Sequence, residues 1–379
     1  MKVIFDQIHK YMKFDNLLLK IIDTVEFQRL RNIKQLGLCY YVFPGASHNR
    51  FEHSLGVSYL SGYMIEMLKN KQPELNITER DILLVKIAGL IHDLGHVCFS
   101  HFFDNFFLSE RIPNSEFRHH EYRSCKLFEF IVKKYKIDLS DEEIKIINRM
   151  INPDINDSFL YQIVCNKING LDCDKFDYIV RDTYNIGLAY SFDVMRLIDQ
   201  AKVINNKICF RSKCSFDISD LYYTRYKLHK QIYTHKVVRA IEYMVLDIIK
   251  MLDRSLNLVE KILDVERISE LTDNILDNCY LLSDKKCIKL LERIRKRDLY
   301  KMVYEGNNLN KDLGKVIIDN IKLNYSMNDK NPLNFVNLYE DNKIVDNNFL
   351  FLKPDKFEEE VIRVYIREKK DLKNIKEKL

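Results

Sequence analysis

Apolar positions along most of the chain are spaced for helices. The strongest run is Asp81 to His101, DILLVKIAGLIHDLGHVCFSH, where Ile82, Leu83, Leu84, Val85, Ile87, Ala88, Leu90 and Ile91 leave almost no polar face. A helix of that kind belongs inside the protein. Upstream, Leu18, Ile21, Ile22, Phe27, Leu30 and Ile33 predict helix around a break at Asp23-Thr24, with Asp23 able to cap the helical turns after the break. Residues 37–50, punctuated by Gly and Pro and rich in aromatics, predict a pocket-lining loop that leads into a helix with apolar positions from Leu55 to Leu68. Thr78 with Asp81, and Ser140 with the acids after it, mark two helix starts. Around VINNKICF, alternation and the Asn205-Asn206 pair predict a β-hairpin near 203–210, and long helices follow over 221–252. After about residue 305 the pattern shortens and mixes, with VIIDNIKLNY and an expected helix DKFEEEVIRVYIREK behind Pro354. The fold class expected is mainly α: a helical catalytic domain over 1–304 and a small C-terminal α+β lobe over 305–379.

Composition narrows the setting more than the chemistry. With 379 residues and 46% hydrophobic content, the chain can bury a large core. No run reaches the apolar length of a membrane span and the N-terminus is charged throughout, so neither a signal peptide nor a transmembrane segment is expected. Nine cysteines without a CxxC pair fit reduced thiols, which points to an intracellular protein, cytoplasmic or nuclear. A formal charge of +5 does not argue for a nucleic-acid partner.

The apolar helix ends in His92-Asp93, and an imidazole beside a carboxylate in such a place is costly unless both are satisfied. A hydrogen-bonded buried pair would satisfy them; so would a metal ion. Three observations favour the ion. Seven of the ten histidines lie between His48 and His120, among them His96 and His101. His53 opens a second apolar helix, and Asp174 lies downstream in LDCDKFDYIVRD. His53, His92, Asp93 and Asp174 make a two-histidine, two-carboxylate set that suits Fe, Mn or Zn and leaves coordination positions open. The arrangement is that of the HD phosphohydrolases.

Longer runs carry a closer resemblance. FQRLRNIKQLG, YYVFPGASHNRFEHSLGVSYL, IAGLIHDLGHVCFSHFFD, LYQIVCNKINGLDCDKFDYIVRD, HKQIYTHK, LTDNI and KFEEEVIRVY resemble the sterile-alpha-motif and HD-domain deoxynucleoside triphosphate triphosphohydrolases. The resemblance covers residue 1 to about 367, with the HD region alone and no sterile-alpha-motif module expected. It implies cleavage of a deoxynucleoside triphosphate to deoxynucleoside and triphosphate by a metal-activated water, with His53, His92, Asp93 and Asp174 as metal ligands and Mg²⁺ on the phosphates. His101 would be the acid at the leaving 5′-oxygen, Asp104 would orient its ring, and His120-Glu121 would lie near the water. Arg50, His96, Lys175, Arg225 and His229 would meet the substrate's phosphate end. Gln35, Tyr178 and Asp182 would hold the sugar, while Leu36 and Tyr233 would crowd its 2′ carbon and exclude ribonucleotides.

Regulation is the other implication. The family's activating guanine nucleotide, GTP or dGTP, would meet Lys2, Val3, Asp23, Gln28, Arg31 and Arg297, and a second nucleotide would meet Asp193, Arg196, Arg211, Lys213 and Lys236, assembling a homotetramer through dimers. Here the chain departs from the pattern. Phe5 and Asp217 replace asparagines, Asp341 stands where lysine is expected, Thr234 replaces a glutamine, and of the redox cysteines only Cys209 has a counterpart. Two other classes share the metal ligands: an HD phosphodiesterase or nuclease acting on oligonucleotides, and a non-catalytic nucleotide- or RNA-binding homologue.

Overall fold

The computed structural model describes residues 1–309, 313–346 and 354–378. Residues 310–312, 347–353 and 379 of the expected C-terminal lobe lie outside the described residues. A hairpin of β1 (Lys2–Asp6) and β2 (Lys10–Phe14) opens the chain, and helices then dominate to residue 199.

Three helices frame the centre. The His53 helix, Arg50–Lys71, packs along the Glu79–Ile91 helix on one side and the Asp174 helix, Cys173–Ile186, on another. Glu79–Ile91 starts at the expected capping box, Thr78 accepting from the Asp81 amide while Asp81 accepts from the Thr78 amide. Its Ile82, Leu84, Val85, Ile87, Ala88, Leu90 and Ile91 are all buried, as a helix without a polar face requires. The one interior charge, Lys86, reaches Glu66 at 2.7 Å. His120–Tyr135 and Asp141–Ile151 complete the bundle, the second capped by Ser140.

The break after Ile22 falls as expected but its cap does not. Thr24, not Asp23, accepts the Phe27 amide at 3.3 Å, and Asp23 closes the preceding helix. A threonine hydroxyl one residue later sits in the extended conformation that a cap needs. The hairpin near 203–210 is present as β3 (Ala201–Ile204) and β4 (Lys207–Arg211), turning on Asn205 and Asn206, both with positive φ. The long helical stretch after 221 is not continuous. Ser215–Leu228 gives way to a π-helical turn, His229–Tyr233, before Lys236–Leu256 resumes.

The C-terminal part makes two sheets. β7 (Leu338–Glu340) pairs in parallel with β4 and antiparallel with β8 (Lys343–Val345), extending the earlier hairpin to four strands. β5 (Lys301–Gly306), β9 (Glu358–Ile366) and β6 (Ile317–Asn324) form the other, in that order. β9 corrects the expected helix behind Pro354. Its acidic start resembles a helix N-terminus, but Val361, Ile362, Val364 and Ile366 are β-branched and central pairing buries Val364, Tyr365 and Ile366. This sheet backs the π-helical turn: Arg363 donates to the Thr234 carbonyl, and the Tyr365 hydroxyl donates to that of Lys236 at 3.0 Å.

Truncating Ile87, fully buried on the central helix, should lower unfolding free energy by about 2–5 kcal/mol. Urea denaturation of Ile87→Ala measures it, and an unchanged midpoint would contradict the packing.

Candidate active site

His53 stands in the first turn of its helix, His92-Asp93 follows the last turn of Glu79–Ile91, and Asp174 opens the third helix. These ends converge. The Nε2 atoms of His53 and His92 are 3.2 Å apart, and Asp174 Oδ1 lies 3.1 and 3.4 Å from them. Asp93 adds oxygens at 3.5 Å from each ring.

The outward nitrogens decide what the inward ones can do. His92 Nδ1 lies 2.9 Å from the Gly89 carbonyl, which can only accept, so this nitrogen carries the proton. His53 Nδ1 likewise faces Asp177 at 2.8 Å. Both Nε2 lone pairs then point at one place, a repulsive arrangement unless a cation lies between them. The charge balance agrees. Burial alone would lower the His53 pKa, yet hydrogen bonds from Asp174 and Asp177 and the Asp93 charge lift it to about 10. A site that pulls positive charge onto an imidazole this strongly fits a divalent metal, which supplies that charge without a proton.

Behind the ligands stands a network missed in the sequence. Asp177 joins His53, accepts from Arg181 Nε at 2.8 Å and meets His9 Nε2 at 2.6 Å, while Arg181 also reaches Asp6 at 2.8 Å. The network ties the first hairpin to the site. Gly56 makes room for it: a Cβ there would lie 1.9 Å from Asp177 Oδ1. The available signal was spacing, since Asp177 falls three residues after Asp174 on one helix face.

The second histidine group is His96, His101 and His120. Rings of His96 and His120 stack with centroids 3.9 Å apart, and His101 packs edge-on against both. Asp104 does not take the expected place on His101. Its carboxylate accepts from Arg123 at 2.6 Å and lies 3.4 Å from His120 Nδ1, with Glu121 also 3.4 Å from that nitrogen. His101 stays open to the cavity; the enclosing protein, then His120 and Arg50, bring its pKa down to about 4. His96 is fully buried behind its neighbours, its ring nitrogens without hydrogen-bond partners, and it does not line the cavity.

That cavity has a volume of about 500 Å³. Gln35, Leu36, Arg50, Asp93, His101, His120, Asp174, Lys175, Tyr178, Asp182, Arg225, His229 and Tyr233 all line it. Part of the lining is basic. Lys175 lies 3.1 Å from Asp172, and Arg225 donates to the Asn324 carbonyl at 2.8 Å while its buried Nε has no partner. Arg50 is more committed, bonded to Asp93, to Ser100 Oγ at 2.9 Å and to the Gln35 carbonyl at 3.4 Å. Asp182, also in the lining, is gripped by Tyr233 at 2.5 Å and by His48 at 2.7 Å, a partner the sequence did not single out. The Gln35 side-chain oxygen is buried and unpaired.

The residues expected to bind activators are largely engaged with partners of their own. Gln28 donates to the Ile22 carbonyl at 2.8 Å and accepts from Arg31 at 2.8 Å, while Arg31 also covers the Phe51 ring. Lys2 and Val3 lie on β1, and Arg297 donates to the Tyr41 carbonyl at 3.0 Å. Among the described residues no hydrogen bond or ion pair links Lys2, Asp23 and Arg297 to one another. For the second set, Arg211 ends β4 and Lys236 starts the long helix. Asp193 accepts the Arg196 amide at 3.2 Å, and the Arg196 guanidinium pairs with Asp217 and reaches the Lys213 carbonyl at 3.3 Å.

Converging His, His-Asp and Asp ligands at the ends of packed helices define an HD-domain phosphohydrolase. Residues 50–177 match the HD domain and residues 192–323 the HD associated region. The SAMHD1 homolog of Dictyostelium discoideum, named a deoxynucleoside triphosphate triphosphohydrolase, is 38% identical over 99% of this chain and 79% of its own length. SAMHD1 of Bos taurus is 39% identical over 97% of this chain and 75% of its own, and that of Homo sapiens 38% over 97% and 70%. The chain belongs to the SAMHD1 family.

Replacing Asp177 by alanine should weaken metal binding about 10- to 100-fold with the fold retained. Metal competition titration reads this directly, and wild-type affinity in Asp177→Ala would remove the carboxylate from the site.

Proposed function

We propose that the protein hydrolyses deoxynucleoside triphosphates to deoxynucleoside and triphosphate. One observation carries the reading: a metal-capable group meets a cavity whose lining joins the basic Lys175 and Arg225 to Gln35, Tyr178, Asp182 and Tyr233. His53, His92, Asp93 and Asp174 would hold Fe, Mn or Zn, whose chemistry when bound is to acidify water and polarise a phosphate oxygen. Lys175 and Arg225 offset charge on the phosphates, joined by Mg²⁺ from solution. His229 packs against Tyr233 on the π-helical turn and lines the same cavity.

His101 is suited to deliver a proton to the 5′-oxygen because it lines the cavity and makes no hydrogen bond among the described residues. Its low pKa leaves the ring neutral in the free protein, and a bound polyanion raises it, so protonation follows substrate binding. His120, steadied by Asp104 and Glu121, lines the cavity where it would lie near the attacking water. Asp182 accepts from the 3′-hydroxyl, and Gln35 can donate to it or accept from it. Leu36 and Tyr233 leave a 2′-hydroxyl without room or partner.

Regulation belongs to the same reading. A guanine nucleotide at Lys2, Val3, Asp23, Gln28, Arg31 and Arg297 requires surfaces from more than one subunit, which favours a tetramer built from dimers with the segment after 305 in the assembly. At the second site Asp217 already occupies Arg196, so a nucleotide there must displace an internal ion pair, and dependence on it is weakened. The reading places the protein inside the cell, in cytoplasm or nucleus; no described helix is long and apolar enough to cross a membrane.

Incubating the protein with each deoxynucleotide, with and without GTP, should release triphosphate; release of mononucleotides from oligonucleotides alone would favour a nuclease. His101→Ala should keep metal and substrate affinity while turnover falls about a hundred- to ten-thousand-fold. Lost affinity with unchanged turnover would make His101 a binding residue. Mass measurement in solution should find assembly with GTP alone, whereas a strict need for both nucleotides would restore the second site.

A further inference from the structure

Two loops meet above the cavity, and neither is held by the HD helices alone. One carries Lys34, Gln35, Leu36 and Gly37; the other turns through Phe99 and Ser100 into His101. Phe99 and Ser100 have φ of 58° and 60°, consecutive left-handed conformations that side chains with a Cβ rarely adopt. Such a turn persists only where its surroundings hold it.

The holding group comes from far along the chain. Asp273, in LTDNI at the start of the short helix Asp273–Asp277, accepts the Lys34 amide on one carboxylate oxygen at 2.9 Å and the Phe99 amide on the other at 2.6 Å. Ser100 Oγ fastens the same two loops by donating to the Lys34 carbonyl at 2.8 Å. They approach so closely that a Cβ on Gly37, itself at φ +51°, would lie 2.6 Å from the Phe99 carbonyl oxygen. Two residues beyond Lys34 is Leu36 and two beyond Phe99 is His101, and both line the cavity.

We propose that Asp273 is a positioning residue for the reaction, its carboxylate setting the register of the sugar-contacting loop against the turn that aims His101. The clamp couples recognition of the sugar to placement of the acid, and it rests on the triphosphohydrolase reading above. Its electrostatics fit a retained function. Burial raises the Asp273 pKa to about 6, against the two amides and the facing cations Lys34 and Arg50. Because that value exceeds the ordinary aspartate one, the associated stability is complete at low pH and is lost as pH rises through about 6. At neutral pH the fold therefore carries the anion at a cost. An anion offers both oxygens as acceptors, which a neutral amide cannot.

The test compares wild type with Asp273→Asn and Asp273→Ala by metal content, melting temperature, steady-state kinetics and hydrogen exchange at the Lys34 and Phe99 amides. With metal content and KM retained, kcat should fall about a hundredfold, the scale of an ångström-level misplacement. Exchange at both amides should rise, and preference for deoxy- over ribonucleotides should narrow about tenfold. Unchanged kcat, or a loss in a folded variant matched by loss of metal, overturns the proposal. If neither variant folds, exchange in the wild type decides: amides that exchange as freely as open loops overturn the clamp, and jointly protected amides support it. Absence of triphosphate release from wild type would sink the activity reading alone, since exchange reads the clamp without turnover.

Discussion

Two imidazole nitrogens held 3.2 Å apart with their lone pairs facing are the constraint on which the molecule is arranged. Positive charge between them, a proton or a metal ion, is what relieves the repulsion. Carboxylates from two further positions surround the point, Arg50 is buried against Asp93, and Arg123 and Arg181 are buried against the supporting acids Asp104, Asp6 and Asp177. Isolated charges would be intolerable there, whereas paired and hydrogen-bonded ones are held. The apolar helices between them supply the rigidity that keeps like groups so close.

From that centre the cavity takes its mixed polarity. Its lining joins carboxylates and histidines to the cations Lys175 and Arg225 and to Asp182, held by Tyr233, so one ligand can find partners for both charge and hydroxyls. The π-helical turn His229–Tyr233 contributes to this polarity. An extra residue in the turn rotates His229 and Tyr233 onto the wall together, a use such turns often have at functional sites.

Much of this could be read from residues alone, and what escaped has physical reasons. The cluster of His53, His92, Asp93 and Asp174 was legible because an apolar helix that ends in His92-Asp93 states its own cost. The cavity wall was legible through its motifs. Asp177 and His48 were not, since they act on other side chains and nothing in a linear pattern says which ring they face. The same limit explains Asp104, which matches a motif position yet serves His120 and Arg123. β9 was misread because a strand flanked on both sides by partners can begin with three glutamates, and the partners are remote in sequence. Thr24 displaced Asp23 as a cap by a single residue, a distance at which preferences of the two side chains hardly differ.

The parallel pairing of β4 with β7 has a consequence for how the molecule can be divided. β4 belongs to the hairpin beside the catalytic helices, while β7 arrives more than a hundred residues later. Severing the chain near residue 304 would strip β4 of that neighbour and leave a row of backbone donors and acceptors open to any passing strand. A catalytic fragment made in that way would be prone to self-association for reasons unrelated to catalysis. The late segment thus acts as a protective cover for an edge that the helical part cannot close by itself.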